Sequence, residues 1–245
     1  MRITRRVLIR SAALVALAIA APPTVYVAWD QSVANLGVVR PGEVYRSGQM
    51  AQGMLAATLK KYAIKTVLNL RGPSEQSWYK RELGTTLAAG ATQVDIPMSS
   101  CLWMTREQFR SLVDVVATAE RPLLIHCSWG SERTGLAAAV SELLRPGGRL
   151  EDAMTQFSLA YLYVPAGDGK VMSEHLDAYA AWLKGERIGH DPAAFRRWLD
   201  QVYQPRKPNS DEWPYNPYPL VVVTRPGEPS VARLPERYKD ARTLR

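Results

Sequence analysis

His126-Cys127-Ser128-Trp129-Gly130-Ser131-Glu132-Arg133-Thr134-Gly135 follows the apolar run Pro122 to Ile125 and precedes the helix-forming run Leu136 to Leu144. The order is strand, loop, helix. A loop in that position turns successive backbone N–H groups toward one centre, and the following helix adds free amides and its positive dipole end, so an anion is the natural occupant. Cys127 opens the loop and Arg133 closes it. Among amides, a helix N-terminus and a guanidinium, a thiol loses its proton readily and becomes a nucleophile. The planar fork of Arg133 suits bidentate contact with a phosphate. Ser128, Trp129, Gly130, Ser131, Glu132 and Arg133 are therefore the candidate phosphate-binding residues.

The spacing of His126-Cys127, five residues, Arg133 and Thr134 resembles the signature loop of the cysteine-dependent protein tyrosine and dual-specificity phosphatase superfamily. Pro41-Gly42-Glu43-Val44-Tyr45-Arg46-Ser47-Gly48-Gln49 is similar to the opening of bacterial dual-specificity-like members, including exported or membrane-anchored ones. The resemblance covers most of Gly37 to Lys184. It implies Cys127 as nucleophile, Arg133 as phosphate clamp and Thr134 as the donor that eases departure of the thiolate. It implies further a phosphomonoester hydrolase working through a cysteinyl phosphate, with no cofactor. A phosphate-binding pseudophosphatase and a phosphoinositide phosphatase are the alternatives. A rhodanese-like sulfur transferase also uses a Cys at such a loop, but the Arg133-Thr134-Gly135 ending favours phosphate.

The general acid departs from the better-known pattern, because Pro97 to Met104 contains no carboxylate. Asp95 lies just before that stretch. Glu132 lies inside the Cys loop, where some phosphoinositide phosphatases of the superfamily carry a catalytic Asp. Both are candidates, and the choice bears on substrate, since an alkyl alcohol needs protonation on leaving far more than a phenolate does. Arg46, Arg71 and Arg106 are candidate residues of the mouth, and His126 is expected to orient the loop from beneath.

Outward from the loop, the chain alternates. Val38 to Ser47 reads as two strands broken at Pro41-Gly42, Met50 to Tyr62 as helix, Thr66 to Leu70 as strand, Ser77 to Ala89 as helix and Gln93 to Ile96 as strand. Thr105 with Gln108 forms a capping box, and Phe109, Leu112, Val113 and Val116 make a core stripe at helical spacing. After the loop, helices are expected to Leu144, from Glu151 to about Leu159, over Lys170 to Lys184, and from Asp191-Pro192 to about Tyr203. Leu220 to Thr224 reads as an edge strand. The fold class is α/β: a central, mostly parallel sheet flanked by helices, dual-specificity-phosphatase-like, with a Pro- and aromatic-rich C-terminal extension.

The first ten residues carry four Arg and no acid, and Ser11 to Trp29 carries no charge. This reads as a signal peptide or N-terminal membrane anchor, with Ala18-Ile19-Ala20 as a cleavage site in the first case and a twin-arginine-like flank in Thr4 to Arg10. Either way the positive flank stays in the cytoplasm and the rest faces outward, in the periplasm or on the inner membrane. The division expected is 1–30 leader, 31–185 catalytic domain and 186–245 helix plus extension. The net charge of +8 owes half its count to the leader arginines, so it makes no case for nucleic acid. Phosphorylated protein, lipid or small molecule is the expected partner, with membrane association. Three His without ligand spacing offer no metal site, and two Cys, Cys101 and Cys127, make no disulfide scaffold, although Cys101 is a candidate redox partner for Cys127.

Overall fold

The computed structural model describes residues 32–206 and 220–228. The leader, most of the Pro-rich stretch and the last residues lie outside them. Six strands form one mixed sheet: β1 (Gly37–Arg40), β2 (Val44–Ser47), β3 (Thr66–Asn69), β4 (Thr92–Asp95), β5 (Leu123–His126) and β6 (Val222–Thr224), in spatial order β1-β2-β5-β3-β4-β6. The four central strands run parallel, and β1 and β6 close the edges antiparallel. The helices are α1 (Gln52–Lys61), α2 (Ser77–Ala88), α3 (Arg106–Thr118), α4 (Glu132–Leu143), α5 (Leu150–Met154), α6 (Val171–Glu186) and α7 (Pro192–Arg197).

Period-two alternation along the strands sends side chains to two cores. Val44, Leu68, Val94, Leu123 and Ile125 pack with Phe109, Leu112, Val113 and Val116 of α3 and with residues of α4, α6 and α7. Tyr45, Val67 and Leu124 pack with Leu55 and Leu59 of α1 on the other face. Because β5 is central and buried throughout, the loop after it opens at the carboxyl end of the parallel strands, where open α/β sheets receive ligands. Thr105 and Gln108 close the expected capping box at α3. Asp191 accepts from Ala194 N at 2.8 Å with Pro192 at the first turn of α7.

The helix expected over Glu151 to Leu159 stops at Met154. Gln156 turns its carbonyl and its side-chain oxygen to the Arg46 guanidinium, at 2.7 and 3.0 Å, and Phe157 packs against Gly135. Gln156 N donates to Ala153 O and Phe157 N to Met154 O, each at 3.1 Å, so the chain tightens into turns here instead of continuing the helix. The helix expected to run to Tyr203 is regular only to Arg197, and then widens into a π-turn over Trp198–Val202. This turn buries Trp198, Leu199 and Tyr203 in the same core as the sheet, so the segment after 186 is part of the domain's packing up to Tyr203.

Candidate active site

The Cys loop is held from outside by its carbonyls. Ser128 O accepts from Gln49 N at 3.0 Å, Trp129 O from Asn35 Nδ2 at 3.0 Å and Gly130 O from Arg46 Nη2 at 2.7 Å. With the carbonyls drawn outward, the amides turn in, and Gly130 N donates to Cys127 Sγ at 3.3 Å. Gly130 sits at φ +74°, and an added methyl would lie 2.5 Å from Gly48 N, so only glycine fits there.

Cys127 is buried. Burial by itself raises its thiol, but the Arg133 charge, the hydroxyl and amide of Thr134 and the Gly130 amide together hold it below its ordinary value. Arg133 donates from Nη1 to Leu70 O at 3.3 Å and to Met98 O at 3.1 Å, while its buried Nε has no hydrogen-bond partner. Thr134 Oγ1 donates to Ser47 O at 3.3 Å, and Ser131 Oγ is buried without a hydrogen-bond partner. The arrangement therefore offers an incoming anion unused donors around a thiolate. Trp129 is 59% exposed at the rim. Glu132 is half-buried at the first turn of α4, with its carboxylate beside Gly169.

His126 lies under the loop. Its Nδ1 faces Cys127 O at 3.3 Å and its Nε2 faces Glu82 Oε1 at 3.1 Å. Both partners only accept, so both ring nitrogens must donate and the ring is a cation. Burial opposes the charge, but Glu82 and the Cys127 carbonyl and thiolate raise His126, and His126 with Gln49 and Gln93 lowers Glu82 despite its own burial. Gln93 Nε2 donates to Glu82 Oε1 at 2.9 Å, Gln49 Nε2 donates to Glu82 Oε2, and Arg71 Nη1 donates to Gln49 Oε1 at 2.7 Å.

Asp95 belongs to this same floor. Its oxygens accept from Asn69 at 2.8 Å, Gln93 at 3.2 Å and Tyr79 at 2.7 Å, and burial pushes its carboxyl up to about 6. It is wholly enclosed, whereas a leaving-group acid needs an open side. Arg46, expected at the mouth, is fully buried behind the loop, under the Tyr161 ring at 3.7 Å. Arg106 is also away from the mouth, donating to Tyr203 O at 3.1 and 2.7 Å. Arg71 stacks on Trp78 at 3.6 Å, and both Arg133 and Cys127 act on its charge, which places it near the thiol.

The sequence alone gives no role to Asn35, Gln49, Glu82 and Gln93, which come from four separate parts of the chain to hold the Cys loop and its floor. No local pattern marks them. Asn69 was within reach of it, since Asn69-Leu70-Arg71-Gly72 is turn chemistry: Asn69 Oδ1 accepts from Arg71 N at 2.9 Å and Nδ2 donates to Gly72 O at 3.1 Å. Cys101 is an exposed free thiol and Cys127 a buried one. Among the described residues no cluster of three or more His, Cys, Asp or Glu could hold a metal ion.

Solved structures with a similar arrangement include TpbA of P. aeruginosa, at 23% identity over 59% of this chain and 84% of that one, with a TM-score of 0.47. The catalytic core of the PP-IP phosphatase SIW14 of S. cerevisiae is 20% identical over 62% and 92%, with a TM-score of 0.46. A putative phosphatase of Shewanella putrefaciens CN-32 is 18% identical over 64% and 92%, with a TM-score of 0.48. No curated protein matches the chain. A model of the tyrosine phosphatase family matches residues 31–205, which include every element from β1 to α7 and the whole Cys loop, and the chain belongs to that family.

Proposed function

We propose that this cysteine-dependent phosphatase hydrolyses phosphate monoesters with Cys127 as its nucleophile. The observation that carries the assignment is a buried thiol under an inward-turned amide, beside a guanidinium whose Nε has no partner. The thiolate attacks phosphorus in line, the P–O bond to the alcohol breaks, and Arg133 and the loop amides hold the equatorial oxygens. Water then splits the cysteinyl phosphate, releasing inorganic phosphate and the thiolate, with Thr134 donating to the departing sulfur.

We assign the leaving-group proton to Glu132 rather than Asp95. Glu132 is partly open and one residue from Arg133, whereas Asp95 is sealed in the floor. The leader is read as an N-terminal membrane anchor with the catalytic domain outside the cytoplasm; among the described residues, no helix is long and apolar enough to cross a membrane.

The test is turnover of an aryl and an alkyl phosphate by the full chain in detergent with reductant, from pH 5 to 8. Cys127→Ser is expected to abolish both. Glu132→Gln is expected to lower alkyl phosphate turnover by about 100-fold, with a smaller loss on the aryl ester. Turnover surviving in Cys127→Ser overturns the assignment of the nucleophile, and alkyl phosphate turnover unchanged in Glu132→Gln overturns that of the acid.

A further inference from the structure

The first described residues are fastened to the Cys loop itself. Asn35, buried, donates from Nδ2 both to Trp129 O and to Tyr161 O, each at 3.0 Å, and Ala34 O accepts from Gly48 N at 2.7 Å. Five residues lie between Asn35 and Trp29, where the uncharged run Ser11 to Trp29 ends. Fully extended, that connection spans at most about 20 Å. A bilayer holding the uncharged run therefore cannot be far from the active-site mouth.

The surface around the mouth has matching chemistry. Phe157 to Gly167 carries no charge. It touches the loop region through Tyr161, and near its other end Gly169 lies beside Glu132. Within it Leu159 is 70% and Val164 56% exposed, with Pro165 and Ala166 also exposed, and Trp129 adds its ring from the Cys loop. Trp beside aliphatic side chains is the composition that lodges at a membrane–water interface. The cations lie deeper in the mouth, at Arg133 and Arg71.

We infer that the lip of Leu159, Val164 and Trp129 rests in the bilayer that anchors the chain, and that the site takes phosphomonoester headgroups of lipids from that surface. The inference rests on the anchored reading proposed above and deepens it by naming the substrate class.

The test uses the full chain with phosphatidylcholine/phosphatidylglycerol vesicles containing a phosphatidylinositol monophosphate, and a soluble aryl phosphate as control. A 30-residue Gly/Ser linker is inserted between Asp30 and Gln31, which lets the domain drift about 30 Å from its anchor. In separate protein, Leu159→Asp and Val164→Asp charge the lip with the anchor intact. Each change is expected to cut lipid turnover about tenfold while leaving aryl phosphate turnover as it was. If the chain does not sediment with vesicles, the anchored reading falls and this inference with it. If it sediments but neither change alters lipid turnover, the inference alone falls. Hydrolysis of a vesicle-tethered phosphopeptide with none of the lipid also overturns it.

Discussion

Two histidines are fully buried in this protein, His126 beneath the Cys loop and His175 beneath an aromatic cluster, and their surroundings titrate them in opposite directions. His126 meets two acceptors and is a cation. His175 meets one of each kind: its Nδ1 donates to Val171 O at 2.7 Å, and its Nε2 accepts from Met104 N at 3.2 Å. A ring with one donor and one acceptor partner must be neutral. Burial pushes it down to about 4, and it stacks on Trp103 at 4.4 Å like any other aromatic of that core. Burial supplies the same cost in both places, and the hydrogen-bond partners decide which protonation state bears it. The floor of the site is thus a charged network that holds a loop in shape, and the cluster under α3, α6 and α7 is ordinary packing.

The sharpest way to break this contrast is to remove the counter-ion. Glu82→Leu leaves His126, Gln49 and Gln93 facing apolar atoms, and we expect a stability loss of about 3–5 kcal/mol in denaturant titration. With Glu82 gone, His126 loses its proton and the thiol loses a neighbouring cation. The pH profile of Cys127 alkylation should move upward and turnover should fall at least about tenfold. In the other region, Phe109→Ala empties a site surrounded by His175, Phe195, Trp198 and Tyr203, and should cost about 3 kcal/mol. The difference lies in the second readout, because the alkylation profile of Phe109→Ala should not move.

The two regions also pull against each other in acid. As pH falls from 6.5 to about 4, the unfolded chain takes a proton that native His175 refuses, so stability drops. Asp95 acts in the opposite sense: its native carboxyl holds a proton up to about 6 while the unfolded one releases it at 3.8, so stability drops as pH rises across that window. Between pH 4 and 6 the contributions offset. Asp95→Asn removes one side, and its denaturation midpoints should fall with acid more steeply than the parent's, by about 1.4 kcal/mol per pH unit. Parallel curves would refute the opposition. The smallest expected effect is Thr105→Ala, which uncaps the exposed start of α3. It should cost about 1 kcal/mol and leave alkylation and turnover unchanged.

Much of this architecture is written locally. The Cys loop, the strand before it and the helix after it follow from ten consecutive residues and their flanks, and the cap at Thr105 and the Pro192 helix start follow from spacing alone. The short β6 pairs on β4 where the Val-rich run Leu220 to Thr224 predicts an edge strand. The failures share a cause. Arg46 is expected at the mouth but lies buried, because its partners, Gln156 and the Gly130 carbonyl, come from 110 and 84 residues away. The helix after Glu151 stops at Met154, and the residue just beyond it, Gln156, meets Arg46 from across the fold.

What the sequence determined by itself was the chemistry available: a thiol and a guanidinium six residues apart on a strand-loop-helix, alternating apolar runs for a mainly parallel sheet, and an uncharged stretch before the domain. Only the tertiary structure decided which charges live inside. It enclosed Asp95 and Arg46, left Glu132 partly open and made one buried histidine a cation and the other neutral. Local pattern encodes propensity and burial along one element, whereas the state of a buried ionisable group depends on donors and acceptors brought to it by distant parts of the chain.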